Sequence, residues 1–242
     1  MCSSDLATLS VSDNASGSPQ TVGLTGTGTT PAASLSPASL TFSDQNVGTR
    51  SAPQAATLSN TGNAPLALSS ITIAGADSGD FAQTNNCGSS LAAGAHCTIS
   101  VTFTPATTGT RTATLAVSDN ASGSPQQVSL TGTGTRPAAS VSPTSVLFVL
   151  PQLVGTTSAP QTVTLSNTGT GTLTISSIAI SGGNSGDFAQ TNNCGSSVAP
   201  GASCSISVTF APTGILVRTS TLVITDNASG SPQQVSLTGT GL

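Results

Sequence analysis

The segment from Ser118 to Gln126 recurs at Ser12 to Gln20 and, with Thr225 in place of the first serine, at Thr225 to Gln233. A chain that repeats itself has to be read as one structural unit built several times. The same spacing relates Ser34-Leu35-Ser36-Pro37 to Ser140-Val141-Ser142-Pro143, and the run Ser78 to Ser90 to the run Ser185 to Ser197, with one residue inserted between Phe148 and Gln152. Length alone would allow one large domain or two of ordinary size; the repeat points to two modules, 34–134 and 140–241, joined by residues 135–139. Residues 7–30 match the last two strands of a module and are expected to be the end of a truncated one. Residues 1–6, Met-Cys-Ser-Ser-Asp-Leu, fit no copy and read as an artefactual leader, the translation of an adapter remnant at a contig edge.

The residues available decide what each module can be. Charged residues are 5% of the chain, all eight acids are Asp, and Lys and Glu are absent, so good helix formers are scarce. Thr, Ser, Val and Ile take their place, and these favour a pleated, half-buried surface, while 26 Gly and 14 Pro punctuate the rest. Apolar and polar residues alternate at Leu40/Phe42, Ala56/Leu58, Ile71/Ile73, Ile99/Val101/Phe103, Leu115/Val117 and Val128/Leu130, with a short segment around Phe81. Such alternation marks half-buried strands. The second copy repeats it at Ile206/Val208/Phe210, Leu222/Ile224 and Val235/Leu237. Turn residues fall between them at Asn60-Thr61-Gly62, Asp77-Ser78-Gly79 and Asp119 to Gly123. Seven strands in about a hundred residues predict an all-β fold of tandem immunoglobulin-like seven-stranded β-sandwiches.

With no Trp and no Tyr, the largest core side chains are six phenylalanines. Phe42, Phe81 and Phe103 are expected to anchor the first core, and Phe148, Phe188 and Phe210 the second. Cysteine supplies reinforcement. Cys87 and Cys97 in one copy match Cys194 and Cys204 in the other, with Cys2 left over. Each pair flanks a loop that contains glycines and precedes a strand, so a structural disulfide is expected in each module, buried free thiols and a metal site being the alternatives. Zinc sites prefer shorter Cys spacings and four ligands, and Ser203 stands where His96 would supply a third ligand. Disulfides imply an oxidising compartment.

Most catalytic and binding chemistry lacks its residues here. His96 is the one histidine, so a Ser-His or Cys-His nucleophile would depend on it, and it reads instead as an exposed strand residue. Asp77 and Asp80 could form a carboxylate pair, but Asn184 replaces the first in the second copy; Asp80 and Asp187 read as turn caps ahead of Phe81 and Phe188. The Asp-rich turns carry oxygen ligands of the kind calcium uses, at lower carboxylate density than a tight site needs. Asn14, Asn120 and Asn227 begin Asn-Ala-Ser sequons and read as turn residues. Gly132-Thr133-Gly134 and Gly239-Thr240-Gly241 lead into no helix and so are not phosphate loops. A net charge of −4 carried by scattered Asp residues argues against nucleic acid and anionic membrane as partners. The longest apolar stretch, Val146 to Val154, is far short of the roughly 20 residues that span a bilayer. No cofactor is expected.

The ordered set Ser-Pro-x-x-Leu-x-Phe (36–42), Leu-Ser-Asn-Thr-Gly (58–62), Ser-Gly-Asp-Phe (78–81), Cys87, Gly94 to Cys97, Val-Thr-Phe-x-Pro (101–105) and Leu-Thr-Gly-Thr-Gly (130–134) resembles the bacterial choice-of-anchor D repeat modules. These resemble the abnormal-spindle and hydin immunoglobulin-like domains and, through them, major sperm protein. The resemblance implies a non-catalytic structural or adhesive spacer of a bacterial cell-surface or secreted protein, partnered by neighbouring modules of its own chain and by other surface proteins or glycans. A carbohydrate- or protein-binding accessory region of a secreted enzyme is one alternative. A cytosolic hydin-like ciliary or cytoskeletal scaffold is another, which the cysteine pairs oppose.

Overall fold

The computed structural model describes residues 4–242; Cys2 and the first half of the expected leader lie outside them. The chain opens with a hairpin, β1 (Ser4–Val11) and β2 (Gln20–Thr27). Then follow β3 (Ala33–Ser36), β4 (Ser39–Thr41), β5 (Gln45–Asn46), β6 (Gln54–Asn60), β7 (Leu66–Ala74), β8 (Phe81–Asn85), β9 (Ser90–Leu91), β10 (His96–Phe103), β11 (Gly109–Asp119) and β12 (Gln126–Thr135). The second copy supplies β13 (Ala139–Ser142), β14 (Ser145–Leu147), β15 (Gln161–Asn167), β16 (Leu173–Ser181), β17 (Phe188–Asn192), β18 (Ser197–Val198), β19 (Ser203–Phe210), β20 (Leu216–Asp226) and β21 (Gln233–Gly241). Two compact units make up the chain, changing over on β12 between Thr131 and Gly132, with residues 43–50 and 104–111 grouped with the second.

The first copy forms one sheet in the order β3-β6-β10-β8 and another in the order β4-β12-β11-β7-β9, with β5 added alongside β12. The second copy repeats both, as β13-β15-β19-β17 and β14-β21-β20-β16-β18. The fold is all-β, and the seven strands read from the alternation are present as β4, β6, β7, β8, β10, β11 and β12. Three short strands, β3, β5 and β9, add to them. The opening stretch crosses from one sheet to the other at Pro37, where β3 ends and β4 begins, and Pro143 marks the same crossing in the second copy. A proline has no N–H for a ladder and sits readily at such a break.

Every second residue of the inner strands turns inward, as the two-residue period requires. In the first copy Ala56, Leu58, Ile99, Val101, Phe103, Leu115, Val117 and Val128 are fully buried; in the second Val163, Leu165, Ile206, Val208, Phe210, Leu222, Ile224, Val235 and Leu237 are. Each copy closes its own hydrophobic cluster. Ile71 and Ile73 are half-buried on β7 and pack against the first cluster, while Leu66, at the start of the strand, is fully buried. A register shift between Ser118 and Asp119 against β7 changes the in-out parity between Leu68 and Ile71, so that both ends of the strand face the core. A matching shift between Ile175 and Ser177 does the same on β16.

The hairpin β1–β2 repeats β11–β12 without a partner sheet among the described residues. Its strand begins at Ser4, inside the stretch read as leader, and pairs Leu6 with Thr25 and Leu9 with Val22. Leu9, Val11, Val22 and Leu24 are 47–58% exposed, whereas their counterparts Leu115, Val117, Val128 and Leu130 are at most 1% exposed.

Candidate functional site

Strand β10 positions the two features on which each module depends. Cys97 occupies its first inward position and Phe103 its last. Cys97 is bonded to Cys87, with S–S 2.04 Å and Cα–Cα 4.9 Å; Cys194 and Cys204 are bonded likewise, at 2.08 Å and 4.9 Å. All four sulfurs are buried. Between the bonded cysteines the chain leaves one sheet, adds β9 to the edge of the other by pairing Ser90 and Leu91 with Ala67 and Leu66, and returns. Gly88 (φ 65°) and Gly94 (φ 76°) make the two corners in the left-handed region that a side chain disfavours. The disulfide therefore fastens the loop that links the two sheets.

At the other end of β10 the aromatic rings gather. Phe81 lies 4.9 Å from Phe103, and Phe42 lies 5.9 and 5.8 Å from the two of them, between ring centroids. Phe148, Phe188 and Phe210 repeat this at 6.1, 5.6 and 4.9 Å. All six rings are buried.

Asn60, read from the sequence as a turn residue, is a core residue, and so is its counterpart Asn167. Asn60 and Asn167 are each 1% exposed. The Asn60 amide donates to the carbonyls of Ala64 (2.8 Å) and Leu91 (3.1 Å), and its Oδ1 accepts from the N–H groups of Gly62 (3.0 Å) and Ala32 (3.4 Å). Asn167 makes the same bonds to Gly171, Val198, Gly169 and Ala138. Each satisfied side chain joins the incoming linker to the module's own turn and to the disulfide loop. Glycine is required beside it: a Cβ on Gly62 would stand 2.4 Å from the Thr30 carbonyl oxygen, and one on Gly169 2.3 Å from that of Arg136.

The readings of Asp80 and Asp187 as turn caps are corrected. Each closes a single 3-10 turn, Ser78–Asp80 or Ser185–Asp187, as its third residue and is buried. Asp187 turns inward to accept from the Thr213 hydroxyl and amide and from the Arg218 guanidinium. A buried carboxylate needs such partners. Burial pushes the Asp187 carboxyl upward, but these hydrogen bonds and the Arg218 charge outweigh it and hold the group below the ordinary carboxylate value. Asp77 accepts the Thr112 N–H at 2.8 Å, and Asn184 accepts the Thr219 N–H at 3.1 Å, so the position works without a negative charge.

The remaining candidates are turn chemistry. Asp119 accepts the Ala121 N–H and donates its own amide to Ser124 Oγ; Asp13 and Asp226 repeat both bonds. The sequon residues Asn120 and Asn227 accept the N–H groups of Ala67 and Thr174 across the sheet. His96 is exposed at the start of β10. Among the described residues no three His, Cys, Asp or Glu side chains cluster as a metal site, and no helix is long and apolar enough to cross a membrane.

A family model for the abnormal spindle-like microcephaly-associated, ASPM-SPD-2-Hydin (ASH) domain matches residues 30–127, and one for Cep192 domain 4 matches residues 153–242. No curated protein matches the chain. Among solved structures, a protein of unknown function from Porphyromonas gingivalis W83 is 13% identical over 86% of this chain and 99% of its own (TM-score 0.37). The seventh PapD-like (ASH) domain of human CEP192 is 20% identical over 42% of this chain and 84% of its own (TM-score 0.33). The secreted serine protease VesC from Vibrio cholerae is 14% identical over 81% of this chain and 48% of its own (TM-score 0.33). The sheets themselves, rather than these distant likenesses, define the architecture: an all-β chain of immunoglobulin-like sandwiches, ASH-like over residues 30–127 and similar to Cep192 domain 4 over residues 153–242.

Proposed function

We propose that the chain is a non-catalytic spacer, structural or adhesive, in a bacterial cell-surface or secreted protein, with modules 34–134 and 140–241 as its repeating parts. The observation that carries this reading is the anchoring of each linker to the module it enters. Thr61 and Thr168 donate their N–H groups to the carbonyls of Ala32 and Ala138, beside the buried Asn60 and Asn167. A linker held in this way in both repeats leaves less free chain ahead of each module, which suits a spacer and which a ligand site does not require. Two disulfides fit an oxidising, extracellular setting, and the resemblance to choice-of-anchor D modules supports a bacterial surface.

The test is to display the chain on a bacterial surface with an epitope at its outer end. The spacer reading expects antibody access past the surface polymer layer to rise when residues 140–241 are duplicated. It also expects no saturable binding of soluble glycans. Unchanged access on duplication, or saturable glycan binding lost on substitution of exposed side chains, would overturn it in favour of a binding module.

A further inference from the structure

Both copies leave the same two atoms without a protein partner. Among the described residues, the buried side-chain atoms that no hydrogen bond satisfies are Asp119 Oδ2 and Gln126 Nε2 in the first copy and their counterparts Asp226 Oδ2 and Gln233 Nε2 in the second. A buried polar group in that condition is destabilising and demands a cause. Here the same pair recurs at equivalent places beside two separate cores.

Strand register brings the two side chains together. Asp226 continues the inward set Leu222 and Ile224 on β20 and pairs with the buried Ile175 of β16; Gln233 pairs with Ile224 and heads the inward set Val235 and Leu237 on β21. Asp226 and Gln233 are therefore diagonal neighbours on the core face, with Cα atoms about 7–8 Å apart, a distance that long side chains reach across. Asp226 is 9% exposed, and its Oδ1 already accepts the Ala228 N–H, so Oδ2 is the oxygen left over. The hairpin β1–β2 carries the same turn and shows what else the amide can do. There Asp13 makes the same turn bonds, and Gln20 Nε2 donates to the Gly17 carbonyl at 3.3 Å. In the two sandwiches the glutamine forgoes that local acceptor and buries its nitrogen on the side of the leftover carboxylate oxygen.

Hydrogen-bond polarity selects the ligand. A carboxylate oxygen accepts and an amide nitrogen donates, so a group held between them has to donate to the first and accept from the second. Water does both, and two to four polar partners are what retain a buried one. A metal cation would suit the carboxylate but would meet the positive edge of the amide; it would fit only with the amide turned over to present its oxygen. We propose that each copy binds one internal water molecule, bridging Asp119 to Gln126 and Asp226 to Gln233, as a fixed part of its core. In the second copy this water closes the end of the core beside Ile175 and Ala228, where β16, β20 and β21 meet.

NMR of the full, isotopically labelled chain reads the bound water directly. Cross-relaxation with water is expected at the side-chain amides of Gln126 and Gln233, with the sign of a molecule that stays longer than the protein takes to tumble, and is not expected at Gln20. Crystals that diffract well enough to show ordered water should place one within hydrogen-bond distance of both atoms in each copy. Gln233→Met keeps the side chain's length and removes the donor, so it should lose the water from the second copy alone; Gln126→Met should lose it from the first alone. The measurement on the parent chain decides the matter even where a variant fails to fold. Calcium added to about 1 mM, in the range that extracellular modules bind, is expected to leave the signals of Asp119 and Asp226 unmoved. Short-lived water at both glutamines, a direct Asp–Gln hydrogen bond in the parent crystal, water that persists in both Met variants, or saturable calcium shifts at the two aspartates would overturn the proposal.

Discussion

Asp187 is an acid that became structural by burial. Its carboxylate is 2% exposed and held below the ordinary carboxylate value by Thr213 and Arg218. The native state therefore binds its proton less readily than the unfolded chain does. Its contribution is complete above the unfolded value, near pH 4, and is lost as pH falls through the lower folded value. Thermal melts between about pH 5 and pH 2 should show this acid loss in the second module, and Asp187→Asn should flatten that limb while lowering stability at pH 7. An acid limb as steep in Asp187→Asn as in the parent would show that other carboxylates carry it. From sequence, Ser-Gly-Asp-Phe read as a capped turn because its partners, Thr213 and Arg218, lie 26 and 31 residues away, beyond three strands. Asn60 was legible in principle: it continues the inward parity of Ala56 and Leu58 on β6. The following Thr-Gly disguised it as a turn residue.

At the scale of elements, β10 and β19 carry each module, with a sulfur bridge at one end and a ring cluster at the other. Phe103 is fully buried and touches both neighbouring rings. Replacing it with Ala removes the centre of a core that has no Trp or Tyr to compensate, and should cost about 3–5 kcal/mol. Calorimetry of Phe103→Ala should show the first module's transition displaced downward or lost and the second's unmoved. A near-parental melt would exclude Phe103 as the anchor. The long strands were legible because a period of two on a buried face is a strong signal. The short strands β3, β5 and β9 and the reversed parity of β7 were not, since pairing with remote segments and a register shift decide them rather than local alternation.

At the scale of the whole molecule, one sandwich is written twice, and each copy encloses a separate hydrophobic cluster. The repeat made this legible before any strand was assigned. A disulfide closing so short a loop contributes roughly 2–3 kcal/mol in the chain-entropy account, a large share for cores this poor in aromatics. Peptide mapping by mass spectrometry without reduction examines both copies at once. The predicted result is Cys87 linked to Cys97 and Cys194 to Cys204; four alkylatable thiols, or any bond joining the first pair to the second, would contradict two sandwiches each fastened by its own bridge.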